Sequence, residues 1–151
     1  YSSSSDQILS GVLSGTGTVT KNTSSTSTLT LSANNTYSGA TTVTTGVLAI
    51  SHANALGTTA GTTTVASNAT LEVSGGISSA EPLTVSGDGV TVSAAEVGAI
   101  RSTSGTNTLT GLMTLAAAAE VQADAGTLTF DVSSGSSFSG AYALKIGRAH
   151  V

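Results

Sequence analysis

Cysteine and tryptophan are absent from the 151-residue sequence, and proline occurs once. Without cysteine there is no disulfide framework and no thiolate metal site. The same lack suits a chain exported unfolded through a narrow pore, where a disulfide loop would obstruct threading. Charged residues make up 8% of the chain, against about 25% in an ordinary globular domain. The four cations, Lys21, Arg101, Lys145 and Arg148, are dispersed and form no basic stripe. Nucleic acid is therefore not an expected partner. No apolar run approaches the roughly 18 residues that cross a bilayer, so no membrane span is expected in this segment. Aromatic residues are 3% of the total, too few for a stacking platform.

What remains is glycine, serine, threonine, alanine and the aliphatics. The chain has 18 glycines, 38% hydrophobic residues and a mean hydropathy of +0.27. Disordered chains combine low hydrophobicity with high charge and proline, and this composition does not. Apolar and polar residues alternate in Leu29-Thr30-Leu31, Leu71-Glu72-Val73, Leu83-Thr84-Val85, Val90-Thr91-Val92 and Leu128-Thr129-Phe130. Each triplet predicts a short strand with its outer residues on one face. Gly75-Gly76, Gly87-Asp88-Gly89 and Gly135-Ser136-Ser137 separate such runs. Helical periodicity is confined to Leu115 to Glu120, where strand, turn, strand is the expected reading.

One segment recurs. Asn34 to Val43 reads NNTYSGATTV and Thr106 to Leu115 reads TNTLTGLMTL. Alignment places Asn35 on Asn107, Tyr37 on Leu109 and Gly39 on Gly111. A weaker copy, Gly135 to Leu144, places Phe138 under Tyr37 and Gly140 under Gly39. Many short strands, few aromatics and an irregular repeat predict a parallel β-helix, in which each coil buries its apolar edge only against its neighbours. Coils of roughly 20–30 residues make about five to seven here. Asn34 and Asn35 are expected at a corner with left-handed backbone angles. Tyr37, Leu109 and Phe138 are expected to pack equivalently, and Gly39, Gly111 and Gly140 to let the chain bend into the next strand.

Leu29 to Val43, with Thr45-Gly46-Val47-Leu48-Ala49-Ile50 after it, closely resembles the autotransporter-associated β-strand repeat, also called the passenger-associated transport repeat. Leu13 to Lys21 is similar to the lead-in that family often shows. Ala53 to Gly57 and Glu81 to Val85 are similar to its linking segments. The resemblance extends over about Val12 to Thr129. It implies an all-β, right-handed parallel β-helix (a solenoid) from an exported passenger, on the surface of or outside a Gram-negative-type bacterium. In that family the motif serves translocation, folding and structure, not catalysis.

No catalytic set accompanies it. His52 is the one histidine ahead of the C-terminal tail, so histidine-based nucleophilic catalysis lacks its parts. Glu72, Glu81, Asp88, Glu96, Glu120, Asp124 and Asp131 are scattered singly and are expected on solvated faces. Arg101, next to Ile100, is expected to point outward, with room for a carboxylate partner. Ser86 to Val90 is a single glycine-rich turn, and calcium sites of that type need several aligned. Gly15-Thr16-Gly17 lacks the third glycine and the helix of a phosphate loop. No cofactor, metal or enzymatic activity is expected.

The expected partners are flanking coils of the same β-helix, with a host or neighbouring-cell surface glycan or protein as a further possibility. A stalk or adhesin passenger is the first functional reading and a glycan-binding module the second. A β-helix carbohydrate-active enzyme whose site lies elsewhere is the third. An aromatic platform or a localised insertion would favour binding, and neither is evident. Residues 1–145 read as one β-helical segment continuing at both ends. Ile146 to Val151 read as a non-native tail, because Ile-Gly-Arg-Ala-His-Val is what the start of a common short-read sequencing adapter encodes.

Overall fold

The computed structural model describes residues 3–132 and 137–148 of the chain. Among them there is no helix; parallel strands stack as a solenoid of about six turns. Each turn runs through two strand positions, and the later turns through a third. The first stack holds Gln7–Leu9, Thr28–Leu31, Gly46–Ile50, Ala69–Val73, Ile100–Ser102, the second half of Met113–Ala123, and Leu144–Arg148. The second holds Val19–Lys21, Thr41–Val43, Thr63–Val65, Leu83–Gly87, the first half of Met113–Ala123, and Phe138–Ser139. A third, shorter stack joins Ser78–Ser79, Thr106–Leu109 and Thr127–Phe130.

Register follows from alternation, because a slip of one residue would turn every apolar side chain outward. Leu29, Leu48, Leu71, Ile100 and Val121 stack directly on one another and are buried. Leu31, Ile50 and Val73 form the parallel inner column. Val43, Val65, Val85 and Leu115 close the core from the second stack. The residues between, such as Thr30, Thr42, Thr64 and Thr84, face outward. Ladder hydrogen bonds run between turns, so each coil satisfies the backbone of the next.

The corner from the second stack to the first is where turns differ. Between Val43 and Gly46 it is a tight turn, with Gly46 at φ 78°. Around Leu115 to Ala119 it is a bend inside one continuous strand, Met113–Ala123, whose register shifts there. The expected strand, turn, strand is thus one strand bent across two faces. Between Gly87 and Ile100 the corner is an insertion. Thr91–Val92 and Ala95–Glu96 pair antiparallel as a hairpin outside the solenoid. Val90-Thr91-Val92 is therefore not a stacked strand as its alternation suggested. A localised insertion is present after all.

At the two ends of the sheet, Ile8 is 70% and Ile146 81% exposed. Ile146 to Arg148 pair with Val121 to Ala123. The expectation of a non-native tail concerns the encoding nucleotides and is not touched by this pairing; residues 149–151 lie outside the described residues.

Candidate functional site

The recurring Asn, aromatic and Gly positions are structural. Asn35 is buried; its Oδ1 accepts from the Leu13 N–H at 2.8 Å and its Nδ2 donates to the Ala55 carbonyl at 2.6 Å. Asn107, at the equivalent place in its turn, also accepts from the coil before it. Its Oδ1 accepts from the N–H groups of Gly76 and Ile77, both at 3.0 Å, and its Nδ2 donates to Ser102 Oγ and the Ser104 carbonyl. Both amides thus bind the coil before them. The left-handed corner expected at Asn34 and Asn35 is absent, since the described non-glycine residues with positive φ are Ser24, Ser93 and Ala94. The asparagine serves through its side chain, which needs no unusual φ. Asn34, exposed, accepts from Asn54 Nδ2 at 3.0 Å.

Tyr37 and Leu109 are both buried against the coil, as the alignment requires. A Cβ on Gly39 would lie 2.2 Å from the Gly17 carbonyl oxygen, and one on Gly111 2.1 Å from that of Glu81. Their φ angles are not positive. Close approach of successive coils, not bending, is what demands glycine at these two positions. The third copy is not equivalent. Phe138 pairs with Met113 in the second stack, whereas the residue facing Leu109 is Phe130. Gly140 accordingly crosses Leu115 and has φ 105°. Phe130 and Phe138 touch, with centroids 4.9 Å apart, so a shared aromatic contact imitates a shared position. Residues 135 and 136 of that copy lie outside the described residues.

The hairpin builds the one feature that departs from a plain rod. Its base is fixed on Thr70, whose hydroxyl donates to the Gly98 carbonyl at 2.8 Å and accepts from the Val90 N–H at 3.0 Å. Val90 and Val97 pack on Val47 outside the solenoid. Between hairpin and sheet lies a cleft of about 310 Å³, walled by Ser93, Glu96 and Val97 on one side and Arg101, Gln122 and Asp124 on the other. Glu72, Arg101 and Gln122 occupy one outward column in successive turns. Arg101 Nε donates to Asp124 Oδ2 at 2.7 Å, and Nη1 lies 3.4 Å from Glu72 Oε2. Gln122 Nε2 donates to Asp124 Oδ1 at 2.8 Å. Beside them, Lys145 Nζ donates to Glu120 Oε2 at 2.7 Å. That hydrogen bond raises the lysine pKa, with Asp88 and Glu96 adding through space.

Four of the carboxylates are therefore not scattered. Coils of unequal length bring Glu72, Glu96, Glu120 and Asp124 to one side of the molecule. Arg101 does point outward to carboxylates, as expected. No group of three or more His, Asp or Glu side chains suited to a metal ion occurs among the described residues. His52 accepts from the Asn54 N–H at 3.1 Å within its own turn.

Comparison with family models matches the Passenger-associated-transport-repeat over residues 24–50. The chain carries this repeat. Neither curated proteins nor solved structures give a match. The repeat spans one full turn: Thr28–Leu31, the Asn35 corner, Thr41–Val43 and Gly46–Ile50. Its resemblance and the parallel solenoid fit a passenger segment of autotransporter type, and the family implies export to the cell surface or the extracellular space.

Three charged residues, Lys21, Glu81 and Glu120, are buried where the sequence did not lead one to expect it. Lys21 occupies the inward column above Val43 and is fully buried. Its ammonium donates to the carbonyls of Thr23, Ser24 and Thr45. Burial lowers its pKa, and Asp6 works against that. Aligning Val19-Thr20-Lys21 on Thr41-Thr42-Val43 was the signal available. Glu81, read as solvated, is 5% exposed, and Glu120 likewise. Burial raises the Glu81 pKa to about 7, while the hydrogen bond from Thr63 pulls it down.

Proposed function

We propose that this chain is a non-enzymatic structural segment of an exported, autotransporter-like surface protein, serving as part of the rod that holds a passenger away from the cell. The observation that carries this reading is the unbroken leucine and isoleucine column from Leu29 to Ile100, held in one register across successive turns. A solenoid of this kind transmits its stacking along one axis and leaves few loops for proteases. In cells that express the intact protein, an antibody raised against the folded chain should label the unpermeabilised surface or the culture fluid. The labelled chain should resist limited proteolysis. Labelling only after permeabilisation would sink the reading.

A second reading, an adhesin that holds a surface glycan, is favoured by the hairpin insertion, because insertions in repeat proteins gather on a binding face. The cleft offers Glu96, Gln122 and Ser93 to sugar hydroxyls and Val97 to a sugar's apolar face. Saturation-transfer NMR with maltose, lactose and cellobiose should show transfer to at least one of them. The signal should vanish in Glu96→Ala, a change at an exposed residue of the hairpin, with the melting temperature unchanged. No transfer at millimolar sugar, or transfer that survives the substitution, rejects this site.

A further inference from the structure

Buried polar groups line up across successive turns inside the solenoid. Tyr37 Oη and Thr41 Oγ1 are 2.6 Å apart, and both residues are buried. Thr41 stacks directly on Thr63 in the next turn. Thr63 Oγ1 donates to Glu81 Oε1 at 2.9 Å, and Thr63 itself is fully buried. That hydrogen bond ties the turn through Thr63–Val65 to the interior carboxyl group just ahead of Leu83–Gly87, and Thr41 stacks on Thr63 from the turn before. The described ion pairs use Glu72, Glu120 and Asp124, not Glu81. Facing it are Tyr37 from the corner and the neutral hydroxyls of Thr41 and Thr63; Gly111 presses on its backbone carbonyl. Tyr37 is the titratable neighbour whose charge couples to it, and Glu81 helps raise the tyrosine pKa. The buried ammonium of Lys21 is engaged with backbone carbonyls.

We propose that Glu81 is a proton-operated lock on coil stacking: its neutral acid closes its own turn on that of Thr63, and its carboxylate loosens the two. A neutral acid is tolerated in a dry interior with one hydroxyl partner, whereas a carboxylate there lacks the solvation and counter-charge it needs. The direction follows from linkage. Burial places the folded pKa, about 7, above the ordinary value of 4.5. The native state then binds more protons than the unfolded chain between those two values, so stability falls as pH rises through that window. The contribution is complete below 4.5 and gone above about 7. A rod built this way is tighter in acid and looser at neutral to alkaline pH.

The test uses the full chain and Glu81→Gln, which keeps shape and removes the charge. The difference in melting temperature between the two should change between about pH 4.5 and pH 7. Over that range the wild type should lose stability relative to the variant. Amide exchange in Thr63–Val65 and Leu83–Gly87, corrected for intrinsic rates, should be faster at pH 8 than at pH 5 in the wild type alone. Parallel melting curves across the range would overturn the proposal. Should Glu81→Gln fail to fold, carbon-13 NMR of the wild-type Glu81 carboxyl decides. A midpoint near 7 supports the lock, and one near the ordinary value removes it.

Discussion

Gly39→Val should unfold or severely destabilise the chain, by about 3 kcal/mol or more. The reason is geometric. A Cβ at this position would sit 2.2 Å from the carbonyl oxygen of Gly17 and 2.8 Å from that of Thr16. Both obstacles are backbone, in a coil whose own hydrogen bonds fix its height, so neither can swing aside as a side-chain tip would. Ser38 N–H donates to the Gly15 carbonyl at 2.9 Å, which holds the two coils at that separation. Relief requires parting the coils at the corner, with loss of the contacts on both sides. Gly17 is the internal control: a Cβ there meets nothing within 4 Å. Gly17→Ala should leave stability within about 0.5 kcal/mol, as surface changes do. Urea unfolding followed by circular dichroism measures both. A Gly39→Val midpoint equal to wild type would refute the close-approach account. It would also remove the reason for a glycine at the equivalent Gly111.

Strand positions were legible because alternation is itself the burial pattern. Leu29-Thr30-Leu31 and Leu83-Thr84-Val85 each bury their outer residues and turn the threonine outward. Alternation, however, says nothing about a strand's partner. Val90-Thr91-Val92 alternates equally well, yet pairs antiparallel in a hairpin whose tip, Ser93 and Ala94, has φ values of 50° and 66°. Those angles favour glycine or asparagine, so the turn carried no composition signal. The charged side was hidden for another reason. Arg101 meets partners 29 residues before it and 23 after it. Turns of unequal length defeat any fixed-period search. Phe138 was misplaced because a local string match does not show which strand faces which: Thr127–Phe130, read as the strand ahead of the copy, itself takes the position facing Leu109.

The asparagine of the repeat is the case where sequence chemistry pointed to the right residue for the wrong cause, and it yields the second large expected effect. Asn107→Leu preserves size and removes the amide. It deprives two backbone N–H groups, those of Gly76 and Ile77, of their shared acceptor. It also strips Ser102 Oγ and the Ser104 carbonyl of a donor. Asn107, Ser102 and Ile77 are buried, whereas Gly76 and Ser104 are exposed, so water cannot easily replace what Ile77 N–H and Ser102 Oγ lose. Each stranded buried group costs about 1–3 kcal/mol, and with two of them the substitution should cost about 2 kcal/mol or more in total. Asn35→Leu at the equivalent place should cost less. It affects one N–H, that of Leu13, and one carbonyl, that of Ala55. Leu13 is only partly buried, so solvent can reach its N–H. Equilibrium unfolding in urea separates the two: the midpoint should drop further for Asn107→Leu, with the slope unchanged in both. Asn107→Asp refines the cause, since it keeps the acceptor and loses the donor. If Asn107→Leu matched wild type within about 0.5 kcal/mol, the amide would be a passenger of the turn, and the coils would be held by their apolar columns alone. If the ordering held, repeat positions would be fixed by how each coil satisfies the backbone of the one before it. Such a constraint survives changes in coil length, which accounts for a motif that recurs at unequal intervals.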